Sequence, residues 1–233
     1  MEEISEVRSS HGRDLIRNAR GESADLFAGT WNKVLRDFAK VSSLPGVGSP
    51  GETCLRAVAA LMAPSLLVPE PVRVRPPWAS APQVSALRDE AKMMLRESGY
   101  INNNKMNSAC GPVAERLAYA VDLAAYVAEV VGVKVKQPHA ANYIGYWEAG
   151  QSLEIHLDSM KFSDINILLC VDRESSREGQ GSSTVFVTPA GFKSEYCTPG
   201  EALIFDGTCL PHGRTPIGDG ETVTLINFGF HAL

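Results

Sequence analysis

Residues 153–171 read LEIHLDSMKFSDINILLCV. Apolar and polar residues alternate through 153–157, the period of a half-buried strand, and 165–171 is an apolar run broken by Asn166. Side chains two apart on a strand point to the same face, so His156 and Asp158 can reach one ion together. The same texture continues on either side of this pair. Short strands are expected at 141–147, 153–157, 165–171, 184–188, 202–205 and 222–230, with Gly, Pro, Ser and Asp in the gaps. That is the pattern of an all-β sandwich or barrel. The run SSREGQGSS (175–183) has the composition of a hairpin loop.

Before residue 133 the period is helical. Leu26, Phe27, Trp31, Val34, Leu35 and Phe38 mark a helix within 23–41, and prolines and glycines make 44–51 a loop. Further helices are expected at 54–67, 86–97 and, as one long buried element, 111–131. Between them PEPVRVRPP (69–77) reads as an extended edge piece, since proline is tolerated at sheet edges. The expectation is one α+β domain over 1–233, mainly helical over 1–135 and a β core over 136–233.

Hydrophobic residues make up 44% of the chain and charged residues 21%, enough for a sizeable core. The net charge is −5 and there is no block of Lys or Arg, which argues against nucleic acid or an anionic membrane and for a small-molecule partner. Cys54, Cys110, Cys170, Cys197 and Cys209 are irregularly spaced with no Cys-x-x-Cys, so a disulfide framework is not expected. The start of the chain is polar, and no stretch is long and apolar enough to span a bilayer, so the expected location is cytoplasmic. Nothing in the sequence indicates an oligomeric state.

A His-x-acid spacing is weak by itself. With five histidines and 27 acidic residues, one arises by chance about half the time. Its surroundings strengthen it. His212 follows the strand ALIF (202–205) and a turn. Two imidazoles and a carboxylate on one face of a metal leave three positions open, the arrangement that suits non-heme Fe(II) and O2.

Tyr146-Trp147-Glu148-Ala149-Gly150 precedes His156; after Asp158 come INILLCV, a Gly/Ser loop, STVFVTP, PGEALIFD and His212. This order resembles the Fe(II)/2-oxoglutarate dioxygenase superfamily, its prolyl-hydroxylase branch in particular, over 142–231. PHGRTPIGDGE (211–221) resembles the histidine loop of clavaminate-synthase-like members. The resemblance implies a double-stranded β-helix, or jelly roll, with the N-terminal helices packed on the outer face of its major sheet. It implies Fe(II) on His156, Asp158 and His212, with 2-oxoglutarate and O2 as cosubstrates. Halogenating relatives have a small residue where this chain has Asp158, so hydroxylation, desaturation or ring formation is the implied outcome.

One feature of that pattern is missing. The superfamily normally anchors the distal carboxylate of 2-oxoglutarate on an Arg or Lys of the last core strand, where this chain has Thr222 and Thr224, and no Lys or Arg follows Arg214. Hydroxyls cannot supply the bidentate, charge-assisted contact of a guanidinium. Arg214, two residues after His212, and Arg173, at the end of the strand after the His-x-Asp turn, are the two candidate replacements. Tyr146 matches a family tyrosine that bonds the cosubstrate or else packs in the core. Asn166, an amide in an apolar strand, either faces the metal cavity and touches a carboxylate or makes a strand-edge bond. Trp147 and Tyr143 read as core, His139 and His231 as structural. Three functions remain open: a 2-oxoglutarate-dependent oxygenase acting on a small metabolite, an iron oxidase with the same triad that uses no 2-oxoglutarate, and a non-catalytic metal-binding β-sandwich.

Overall fold

The structure, a computed structural model, describes residues 50–175 and 181–233. The helix expected within 23–41 lies outside them. Of the loop expected over 44–51, Pro50 and Gly51 are described, as the first turn of a helix. Of the hairpin loop, 176–180 lie outside.

Helix α1 (Pro50–Met62) runs into a short 3-10 turn (Ala63–Ser65), and strand β1 (Val72–Val74) is the expected edge piece. Helix α2 (Ala81–Ser98) starts earlier than its apolar run, with Ser80 before it and a proline in its first turn. Its buried face is Val84, Leu87, Ala91 and Leu95, at helical spacing. Burying each leucine contributes about 2 kcal/mol.

Strands β2 (Tyr100–Asn102) and β3 (Lys105–Ala109) form a hairpin not expected from the sequence. Its two-residue turn, Asn103-Asn104, has positive φ at both positions, 51° and 57°. Asparagine tolerates that conformation, and this turn matches strand twist. The long helix expected over 111–131 is two helices, α3 (Pro112–Ala120) and α4 (Leu123–Val131). Asp122 ends the first continuity: its Oδ1 accepts from Ala125 N at 2.9 Å and caps α4. Buried Glu90 on α2 accepts from Val113 N, Ala114 N and the Tyr143 hydroxyl, so one carboxylate ties α2 to the start of α3 and to the sheet.

The remaining strands are β4 (Ala140–Tyr146), β5 (Leu153–His156), β6 (Ile165–Glu174), β7 (Thr184–Thr188), β8 (Gly191–Glu195), β9 (Ala202–Asp206), β10 (His212–Arg214) and β11 (Thr222–Phe230). β8 and β10 were not anticipated; both are short. The strands form two antiparallel sheets, ordered β1-β9-β6-β11-β4-β3-β2 and β5-β10-β7-β8. The inward faces meet around Ile144, Tyr146, Phe186, Phe205, Val223 and Leu225. The outer face of the large sheet (Ile165, Ile167, Leu169, Ile226, Phe228) packs on α2, α3 and α4, as expected of the N-terminal helices. Helix α1 differs: Leu55, Val58, Ala59 and Met62 pack with Val187 of β7, on the small sheet. Among the described residues no helix is long and apolar enough to cross a membrane.

Candidate metal centre

β5 ends on His156, β10 begins on His212, and the register places the two opposite one another. Opposed residues of an antiparallel pair share a face. Asp158 lies just past β5; its amide donates to Gly207 O at 2.8 Å, which holds the His-x-Asp turn against the end of β9. His156 Nε2 is 3.4 Å from Asp158 Oδ1, and His212 Nε2 is 3.7 Å from Asp158 Oδ2. One donor atom from each residue lies within 4.8 Å of the others. Adjacent ligands of a first-row ion sit about 3 Å apart, so small side-chain rotations would draw the three donors onto one ion.

Each imidazole is oriented by the carbonyl two residues before it. Nδ1 of His156 bonds Glu154 O at 3.0 Å, and Nδ1 of His212 bonds Leu210 O at 2.9 Å. A carbonyl only accepts, so the proton sits on Nδ1 and the Nε2 lone pairs face Asp158. Burial, then the nearby His156, lowers His212 to about 4. Burial would raise the Asp158 carboxyl, but His212, His156 and the Asn166 amide outweigh it and hold it at about 2. At neutral pH His212 is therefore neutral and Asp158 ionised, the forms that bind metal.

Behind Asp158 lies a set of amides. Asn166 Nδ2 donates to Asp158 Oδ2 at 2.6 Å, and its Oδ1 accepts from Ser163 Oγ and Asn227 Nδ2. Asn166 thus touches a carboxylate, but that carboxylate is Asp158, not a cosubstrate, and Asn166 itself lies behind the cavity lining. Gly207 is required beside it: a Cβ there would collide with Asn166 Nδ2 and Asp158 Oδ2. Buried Asp206 accepts from Thr208 N, Thr208 Oγ1 and Cys209 N, and so shapes the loop that delivers His212. Neither Gly207 nor Asp206 was singled out from the sequence, although an Asp-Gly after an apolar strand is a turn signal.

The triad opens on a cavity of about 400 Å3 between the sheets, a size that suits small molecules. The chain matches no protein-family model and no curated protein sequence. It is similar to solved structures at low identity. A Pseudomonas putida prolyl-4-hydroxylase aligns with TM-score 0.55 and 17% identity over 76% of this chain and 97% of that one. A prolyl hydroxylase from Trichoplax adhaerens, in complex with a hypoxia inducible factor oxygen degradation domain peptide fragment, aligns with TM-score 0.58 and 10% identity over 76% and 91%. HygX from Streptomyces hygroscopicus, with nickel, 2-oxoglutarate and hygromycin B bound, aligns with TM-score 0.54 and 13% identity over 78% and 86%. The fold is that of the Fe(II)/2-oxoglutarate oxygenases.

Within this fold the candidate anchors separate cleanly. Thr222 and Thr224 are not in the cavity. Thr224 Oγ1 accepts from Trp147 Nε1 at 3.1 Å, and the residues of matching parity, Ile226 and Phe228, face the helices. The inward residues of β11 are Val223, Leu225 and Asn227. Arg173 is also absent from the cavity lining. A β-bulge at Val171, opposite Thr224 and Leu225, flips the strand so that Arg173 turns toward the small sheet. There it pairs with Glu221 at 3.0 Å, donates to Ser182 O and lies over the Tyr196 ring.

Arg214 does line the cavity and is 6% exposed. It donates to Ser182 Oγ, Ser182 O and Thr184 Oγ1, all neutral oxygens. Its Nε has no partner, and among the described residues no carboxylate lies within ion-pairing distance. Burial lowers its pKa, with Tyr146, whose ring centroid is 5.1 Å away, acting the other way. Tyr146 is buried and lines the same space; burial raises its hydroxyl pKa. Tyr143 and Trp147 are core, as expected. His139 and His231 stack on each other at 4.0 Å, apart from the triad. Cavity residues missed from the sequence are Lys105, Thr184 and the opposed pair Asn142 and Asn227.

Proposed function

We propose that this protein is a non-heme Fe(II)- and 2-oxoglutarate-dependent oxygenase that oxidises a small molecule by hydroxylation, desaturation or cyclisation. His156, Asp158 and His212 would hold the iron. The donor set, its protonation and its open side fit that ion. Iron held there would supply O2 activation, with the electrons drawn from oxidative decarboxylation of 2-oxoglutarate to succinate and CO2. Asp158 fills the position a halide would need, which favours oxygenation over halogenation.

The observation that carries the cosubstrate assignment is Arg214. A buried cation without a carboxylate is costly unless an anionic ligand completes it. Side chains two apart on a strand are about 6.7 Å apart, so Arg214 stands from His212 at roughly the length of a five-carbon diacid. Arg214 would hold the distal carboxylate, with Thr184 and Tyr146 beside it. The role given to Thr222 and Thr224 from the sequence is dropped, and so is that of Arg173, whose charge Glu221 already meets.

One observation favours the reading without 2-oxoglutarate: apolar Val223 and Leu225 fill inward positions of the last strand, so that strand brings no base to the cavity. Anaerobic Fe(II) titration with and without 2-oxoglutarate separates the two. The visible charge-transfer band of a chelated keto acid, and succinate formed in step with substrate oxidation, are expected. Oxidation that consumes O2, forms no succinate and ignores 2-oxoglutarate would leave the oxidase reading standing. A metal site with no oxidation of any substrate would favour the non-catalytic one.

A further inference from the structure

The β2–β3 hairpin brings a second buried cation to the cavity. Its turn is pinned by Asn104, whose Nδ2 donates to Gly150 O at 3.0 Å and Ser152 Oγ at 3.3 Å, just before β5. The hairpin thereby bridges the edge of the large sheet and the strand that carries His156. On β3, Met106 faces the helices, so Lys105 and Asn107 face inward, on the side of Ile144 and Tyr146. Lys105 lines the cavity with the triad and is 8% exposed.

Its hydrogen bonding is incomplete. Nζ donates to Asn107 Oδ1 at 2.6 Å, and an ammonium carries three donors. Among the described residues no carboxylate lies within ion-pairing distance of it, whereas Lys92 meets Asp172 at 2.7 Å and Arg173 meets Glu221. Burial lowers Lys105 to about 8, partly offset by the field of Asp158. Lys105 reaches the cavity from the edge of the large sheet, whereas Arg214 reaches it from the small sheet, so the two cations come from opposite walls.

We propose that Lys105 is a substrate-binding residue that receives a carboxylate of the molecule being oxidised, which makes the substrate class a small monoanionic acid. This rests on the oxygenase reading. With Fe(II), Asp158, Arg214 and the 2-oxoglutarate dianion in place, charges of plus two, minus one, plus one and minus two cancel. The Lys105 ammonium is then the uncompensated charge among the residues lining the cavity. A carboxylate there makes a charge-assisted pair and fixes one end of the substrate. The reacting carbon then lies toward Asp158 and the histidines.

The test is trace acetylation of the full-length protein, loaded anaerobically with Fe(II) and 2-oxoglutarate, read lysine by lysine by peptide mass spectrometry. The probes are a panel of aliphatic and aromatic monocarboxylates, each matched with its neutral amide. A carboxylate at ten times its Kd should slow labelling of Lys105 by about tenfold. Its amide should not, and exposed Lys134 and Lys136 should be unaffected. Lys105→Met should lose the preference for acid over amide in direct binding while keeping the Fe(II)–keto acid band. Equal protection by acids and amides overturns the proposal. Protection by 2-oxoglutarate alone also overturns it, because Lys105 would then belong to the cosubstrate. Absence of the visible band in the wild-type protein defeats the 2-oxoglutarate reading instead. The same labelling with metal alone still decides Lys105.

Discussion

Arg173 and Arg214 enter the space between the sheets from opposite sides and reach the same residue, Ser182, whose carbonyl accepts from both. Arg173 comes from the large sheet and has its counter-charge in Glu221, which Ser182 N and Gly218 N also bond. Arg214 comes from the small sheet and finds only hydroxyls and a carbonyl. The two differ little in burial; their side chains differ in whether a counter-charge is built in. A charge whose partner is supplied by the chain holds structure together. A charge left without one is available to a ligand, at a cost in stability to the empty protein.

The largest expected effect sets the baseline for that comparison. Asp158→Ala should abolish metal-dependent turnover while circular dichroism stays near wild type, because Asp158 lies at the cavity and not in the apolar layers. Undiminished oxidation by this variant would remove the metal reading altogether. Next, Arg214→Ala should weaken 2-oxoglutarate binding by at least about a hundredfold, from the 3–5 kcal/mol lost when one partner of a buried charged pair goes. Its denaturation midpoint should stay level or rise, since a buried unpaired cation has been removed. A stability loss matching that of Arg173 variants would erase the distinction.

Arg173→Met should do the reverse. It leaves buried Glu221 without its cation and should cost about 3 kcal/mol in urea unfolding, with 2-oxoglutarate affinity in the folded fraction little changed. Pairing it with Glu221→Leu should recover part of that loss. The last effect concerns the metal end and is confined to acid pH. His212 sits near 4 when folded, below its ordinary 6.5, so the unfolded chain takes up the proton first as pH falls. Metal-free protein should therefore lose stability between about pH 6.5 and pH 4, by up to about 3 kcal/mol. Asp158, held at about 2, adds its own loss only below the ordinary carboxylate range. Thermal melts of metal-free His212→Ala should lack the slope between pH 6.5 and 4; a slope that persists there would have to come from another group.

The triad was legible because the strand period is local. Once 153–157 is a strand, His156 and Asp158 share a side whatever the rest of the chain does. The β texture after residue 133 and the helical period before it were equally local, and so was the edge position of the proline-flanked β1. The break at Asp122 was missed because apolar residues on both sides fit one helix, and a cap outcompetes continuity only when its acceptor finds Ala125 N. The β2–β3 hairpin had a signal in Asn103-Asn104, without a clear alternation beside it.

Parity across sheets is different in kind. Sequence could say that Thr222 and Thr224 share a face of β11, but not which face looks inward. Tertiary packing gave the inner side to Val223 and Leu225 and sent the threonines toward the helices, because Ile226 and Phe228 must be buried there. A bulged residue at Val171, invisible in a run of apolar side chains, decided that Arg173 turns to Glu221. Whether a cation is met or unmet depends on which distant carboxylate the fold brings within about 4 Å. Sequence therefore named the metal-binding residue types and their spacing. Only the packing of two sheets decided that Arg173 is paired and that Arg214 and Lys105 are left facing the cavity.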